Sequence, residues 1–196
     1  MSLRLSLTIL ASALLLAGCD REPDDAAQQQ GELASDKQGL SGEIDRSYVG
    51  ELMPAVEVVD PAGKTLNLGA LQGKPVLLNL WATWCAPCVV EMPMLDTLAD
   101  EMGDELRVIT VSQDMKGAEL VEPFFAERNF RNLEPWLDTE NKLGFAFDGV
   151  LPVTVLYDAA GQEVFRVAGG YHWDSEEARV AIEEAISEYS GSSSPS

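Results

Sequence analysis

The apolar positions of this chain fall into long unbroken runs, helical stripes and short alternating segments, and each form predicts a different element. Leu7–Leu16 is one apolar run, too short to span a bilayer. Between about residues 20 and 46 no periodicity holds. Ala55–Val59 and Thr65–Leu68 flank Asp60-Pro61-Ala62-Gly63, a turn sequence, and predict a hairpin. Pro75–Ala82 is continuously apolar apart from Asn79, the mark of a strand buried on both faces. In Ala86–Met102 the apolar residues Val89, Met92, Leu95, Leu98 and Ala99 recur at helical spacing, and Pro93 should kink that helix. Leu106–Ser112 is a second buried strand. Strand, helix, strand in this order implies a parallel pair with a right-handed crossover.

Further along, Lys116–Asn129 predicts a helix interrupted at Pro123, and residues 131–149 are irregular with one short helical piece and a strand near Leu133–Leu137. Val153–Tyr157 and Glu163–Ala168, joined by Asp158-Ala159-Ala160-Gly161-Gln162, form a second hairpin that makes the sheet mixed. Asp174 with Glu177 three residues on resembles a capping box, opening a last helix whose apolar face is Val180, Ile182, Ala185 and Ile186. There are no internal repeats.

Charge and cysteine content narrow the function. The 196 residues carry 13 basic and 33 acidic side chains, a formal charge of −20. Nucleic acid and anionic membrane surfaces would be repelled, so no nucleic-acid partner is expected. Three cysteines cannot make a disulfide-rich scaffold.

Two of them stand at the end of the apolar strand, in Trp81-Ala82-Thr83-Trp84-Cys85-Ala86-Pro87-Cys88. Thiols at this spacing, with Pro87 in the first helical turn, can close a disulfide without moving the backbone. Cys85 would sit at the helix N-terminus, where partial positive charge favours thiolate, and is the expected nucleophile. Cys88, one turn further in, would be the more buried resolving thiol. A zinc site needs four ligands, and only Cys19 and His172 remain to complete one, so no metal is expected. Trp81 reads as core. Pro123-Phe124-Phe125 reads as ordinary packing, and the lone His172 as structural or exposed.

The N-terminus carries an address. Arg4 precedes the apolar run, which ends in Leu16-Ala17-Gly18-Cys19 and resembles the lipobox of bacterial lipoproteins. That resemblance implies a signal peptide over residues 1–18, cleavage before Cys19, and lipid on Cys19. Asp20 resembles an inner-membrane retention signal. Residues 19–46 hold Gln28-Gln29-Gln30, no aromatic residue, and Asp20, Glu22, Asp24, Asp25, Glu32, Asp36, Glu43 and Asp45 against Arg21, Lys37 and Arg46. Such a segment buries too little apolar surface to offset its ordering entropy and is expected to be a disordered acidic tether. The domain is expected over 47–189, with 190–196 a flexible tail.

Trp84-Cys85-Ala86-Pro87-Cys88, then Glu91-Met92-Pro93, with Leu151-Pro152-Val153-Thr154 downstream, resembles the TlpA/ResA-like branch of the thioredoxin superfamily. The resemblance spans about residues 47–189. It implies an α/β thioredoxin fold: a mixed central sheet flanked by helices, with an N-terminal β-hairpin and a central insert. It also implies a membrane-tethered, extracytoplasmic thiol–disulfide oxidoreductase, usually a reductase, without cofactor. Its partners would be protein thiols or disulfides and a membrane electron donor. The buried aspartate of thioredoxin, six positions before the first cysteine, is here Asn79, and in ResA-like proteins the glutamate matching Glu91 is the acid–base group. Glu91 follows Cys88 by three residues, on the same helix face. Trp84, Ala86 and Pro87 would border the site. The resemblance further implies a cis Leu151–Pro152 bond, with the Leu151 backbone pairing to substrate as an added strand.

Two narrower roles stay open, a cytochrome c maturation reductase and a thiol reductant of copper sites in oxidase assembly. Sco-type copper binders use Cys-x-x-x-Cys with a histidine, unlike this chain. Maturation reductases carry a Gly-Ala-Pro-Glu-like stretch where this chain has Val150-Leu151-Pro152-Val153-Thr154.

Overall fold

A computed structural model describes residues 39–190. The expected signal peptide, Cys19, most of the tether and residues 191–196 lie outside the described residues. The strands are β1 (Ile44–Asp45), β2 (Glu57–Val59), β3 (Thr65–Asn67), β4 (Val76–Trp81), β5 (Arg107–Ser112), β6 (Trp136–Leu137), β7 (Val153–Tyr157) and β8 (Glu163–Ala168). The helices are α1 (Ala86–Met102), α2 (Ala118–Arg128), α3 (Lys142–Ala146) and α4 (Glu176–Ser190). A 3-10 turn occupies Leu68–Ala70.

The strands form one mixed sheet in the order β1-β8-β7-β4-β5-β6-β2-β3. β4 lies inside it, parallel to β5 and antiparallel to β7, and all six of its residues are buried. This is why its sequence is continuously apolar rather than alternating. Because side chains alternate between faces, Leu77 and Trp81 enter the core packed with Leu95 of α1 and Ile182 of α4. Val76, Leu78 and Leu80 enter the opposite core with Ile109, Trp136 and Leu143. Asn79 therefore shares the α1 face with Leu77 and Trp81.

Three local expectations change. Ile44–Asp45, inside the stretch expected to be tether, pairs with β8 as an edge strand, and Gly42 N–H donates to Gly170 O at 2.9 Å. Ile44 packs on the core. One apolar residue in an acidic segment suffices once an unpaired strand edge awaits it. Helix α2 runs continuously through Pro123; a missing N–H removes one bond from a helix that Phe124 and Phe125 anchor against Trp81, at centroid distances of 4.9 and 5.9 Å. Finally, α4 is capped by Ser175 rather than Asp174: the Ser175 hydroxyl accepts from Ala178 N–H, and a turn from Ser175 N–H to His172 O delays the helix start.

Candidate active site

The centre of the site is where β4 becomes α1. Cys85 N–H closes a turn onto Ala82 O at 3.1 Å, and Cys85 is the N-cap residue of α1, with Pro87 in the first turn. Pro87 is well placed there because its missing N–H would have had no intrahelical partner. Cys85 and Cys88 are joined in a disulfide, with Cα atoms 5.3 Å apart. Cys88 is wholly enclosed, whereas Cys85 retains 6% of its surface. Ala86 is exposed, Trp84 is 70% exposed, and the Leu151–Pro152 bond is cis.

Glu91, one turn beyond Cys88, is fully buried. One carboxylate oxygen accepts from Asn79 Nδ2 at 2.7 Å. The other accepts from Tyr171 N–H at 3.2 Å and Trp173 Nε1 at 3.3 Å. Burial raises its pKa from 4.5 to about 7, with the bonds from Asn79, Tyr171 and Trp173 pulling the other way. A group poised near neutrality can take up and return a proton under ordinary conditions. Asn79 Nδ2 also donates to Thr154 Oγ1 at 2.9 Å, across the paired strands β4 and β7.

A second carboxylate, not singled out by the sequence, holds the approach to Cys85. Asp114, buried after β5, accepts from Thr83 N–H, the Thr83 hydroxyl and the Ser112 hydroxyl, each at 2.8 Å. The only sequence cue was an aspartate two residues beyond a serine at a strand end, a common turn pattern. Tyr171 and Trp173 were also missed as partners of Glu91. They lie about 80 residues away in sequence, and only the docking of the segment before α4 brings them together.

A groove of about 650 Å³ reaches the active-site turn at Trp84, the residue before Cys85, and is lined also by Gln113, Met115, Phe145 and Leu151, among others. The structure thus brings Trp84 and Leu151 to one groove, with the central insert as its far wall. His172 is half-exposed, its Nδ1 3.9 Å from Asp174. Among the described residues no group of three or more His, Cys, Asp or Glu is arranged to hold a metal ion.

A family model described as AhpC/TSA matches residues 49–181. The chain is 31% identical over 133 residues to the thiol-disulfide oxidoreductase ResA of Bacillus cereus, covering 67% of this chain and 76% of that protein. Among solved structures, the exposed lipoprotein thioredoxin of Streptococcus pneumoniae aligns with a TM-score of 0.56 at 28% identity, over 65% of this chain and 98% of that one. A secreted Mycobacterium tuberculosis disulfide oxidoreductase, homologous to E. coli DsbE, aligns with a TM-score of 0.57 at 21% identity, over 66% and 96%. The latter likeness is one of fold.

Proposed function

The chain belongs to the AhpC/TSA family, in which it is a TlpA/ResA-like thiol–disulfide oxidoreductase of thioredoxin fold, and from that premise we propose that it reduces protein disulfides outside the cytoplasm while tethered to a membrane by lipid on Cys19. In the reduced protein, the Cys85 thiolate attacks one sulfur of a substrate disulfide. The S–S bond breaks, the first substrate thiolate leaves, and a mixed disulfide remains on Cys85. Cys88 then attacks the Cys85 sulfur and gives its proton to the Glu91 carboxylate. The second substrate thiolate departs, two electrons have passed to the substrate, and Cys85–Cys88 is closed. A membrane electron donor must reopen the pair before the next cycle.

The observation that carries this reading is the burial of Glu91 one turn beyond Cys88, with a pKa near 7. Cys88 has no exposed surface, so its proton needs an acceptor inside the protein. The lipid anchor is supported by Leu16-Ala17-Gly18-Cys19 and by the likeness to a lipoprotein thioredoxin.

The deciding experiment is Cys88→Ser, expressed in the host. It should trap substrates as mixed disulfides on Cys85, and mass spectrometry of those partners separates apocytochromes, copper proteins and other oxidoreductases. A trapped species that persists when Cys85 is also replaced would overturn the assignment. Cys19→Ser should free the domain from the membrane while keeping its disulfide reductase activity; unchanged membrane association would defeat the anchor.

A further inference from the structure

We propose that Asn79 is a positioning residue whose amide turns over with the proton on Glu91, presenting nitrogen to the carboxylate and oxygen to the carboxylic acid. The inference rests on Glu91 as the proton acceptor of the Proposed function and says how the fold tolerates both of its states.

Hydrogen-bond capacity leads there. Among the described residues, the side-chain hydrogen bonds of Glu91 all come from donors: Asn79 Nδ2, the Tyr171 N–H and the Trp173 indole N–H. That suits a carboxylate, which only accepts. Once protonated, Glu91 carries an O–H that must find an acceptor in a fully buried place. A backbone N–H and an indole N–H can only donate. Of the three partners, only the Asn79 amide carries an acceptor, and its Oδ1 is buried with no hydrogen-bond partner among the described residues.

A half-turn of the amide exchanges its two ends. Oδ1 then accepts the Glu91 O–H. The Thr154 hydroxyl, which accepts from Nδ2 at 2.9 Å in the present orientation, reverses to donate to Oδ1. Both contacts survive, and the unpartnered atom becomes Nδ2 instead of Oδ1. Since one amide atom is unsatisfied either way, that penalty is of similar size in the two states and largely cancels between them. Asn79 and Thr154 are direct register partners in β4 and β7, so the turn requires no movement of backbone. The proton balance is simple: it leaves the Cys88 thiol, resides on a Glu91 oxygen, and later passes out of the site.

Among the described residues, the titratable groups around Glu91 are few. On α1 the cysteines do not titrate while joined. The segment before α4 brings Tyr171, with His172 and Asp174 beside it about half-exposed; on α4 itself Glu177 acts on Tyr171. From β4 and β7 only Asn79 and Thr154 reach in, and neither titrates.

The test uses the oxidised protein, in which neither Cys85 nor Cys88 titrates, labelled with nitrogen-15. The Asn79 side-chain NH2 signals are followed from about pH 5 to about pH 9, spanning the Glu91 midpoint. Nuclear Overhauser contacts from those amide protons to Thr154 should be present above the midpoint and lost below it, and in Glu91→Gln they should not change with pH. Contacts that persist through the Glu91 titration, even with shifting resonances, overturn the proposal. Kinetically, Asn79→Leu should slow resolution by Cys88 about tenfold, accumulating mixed disulfide while Cys85 alkylation in the reduced protein stays unchanged; wild-type resolution in a folded Asn79→Leu protein also overturns it. Should that variant not fold, the wild-type spectra decide alone. The two readings fail separately: wild-type resolution in Glu91→Gln removes Glu91 from catalysis, whereas the amide contacts report on Asn79 without any turnover.

Discussion

A carboxyl group without exposed surface must either stay neutral or be met by donors, and Glu91 is balanced between the two. Burial favours the neutral form and three N–H groups favour the ion, leaving the midpoint at about 7. Because this folded value exceeds that of the unfolded chain, the native state binds more protons between pH 4.5 and about 7. Stability therefore falls as pH rises through that window and levels off above it. A rise from 4.5 to about 7 corresponds to about 3 kcal/mol. We expect the oxidised protein to lose about that much stability between pH 5 and 8, and Glu91→Gln to lack this component. Denaturant midpoints at the two pH values check it; equal slopes for both proteins would contradict the burial argument. In turnover, Glu91→Gln should reduce insulin disulfides more slowly across pH 6–8, about a hundredfold at the low end of general-base contributions. Wild-type rates would remove the carboxyl from the mechanism.

At the scale of elements, the site depends on two loops tied together. The turn after β4 presents Trp84 and Cys85, and Asp114 after β5 holds that turn through the backbone and hydroxyl of Thr83. Asp114→Ala leaves one buried hydroxyl and both Thr83 donors without their acceptor, at a cost of about 2–4 kcal/mol. It should lower the melting temperature and also slow the first attack by Cys85; a destabilised protein with unaltered Cys85 alkylation would confine Asp114 to a structural role. Elements with a local pattern were legible from sequence. β4 and β5 showed unbroken apolar runs, α1 its helical stripe, and Leu151-Pro152 stood before β7 as a proline that can begin a strand. What escaped depended on distant partners. β1 is two residues whose pairing with β8 no local window contains, and the acidic average around it masked Ile44. Pro123 looked like an interruption because propensity omits the packing of Phe124 and Phe125 on Trp81. Around Glu91, the sequence drew notice to the lone His172, while the donors proved to be its neighbours' indole and backbone N–H groups.

On the scale of the whole molecule, a strongly acidic chain carries, among its described residues, an apolar groove that begins at Trp84, next to Cys85. Trp84, Met115 and Phe145 are 70%, 83% and 80% exposed, and all three line that groove. Exposed large apolar side chains gathered in one place mark a surface for a partner rather than ordinary scatter. Met115→Ser with Phe145→Ser removes two of them without touching the cysteines, Glu91 or the Asp114 brace. Partial burial of two such side chains is worth about 2 kcal/mol, so kcat/KM for a protein disulfide should fall about 30-fold. Reduction of a small-molecule disulfide should remain near wild type, since it reaches Cys85 without needing the groove. The charge of −20 acts over longer range and on encounter rather than on fit. Basic protein substrates should therefore be reduced fastest at low ionic strength and lose that advantage as salt screens the field, while acidic ones should gain. The double variant should keep the same salt slope, because it alters no charge. A loss of activity equal for protein and small disulfides would mean the substitutions had disturbed the redox centre itself, and a salt slope that vanished with them would mean that the groove, not the acidic surface, governs encounter.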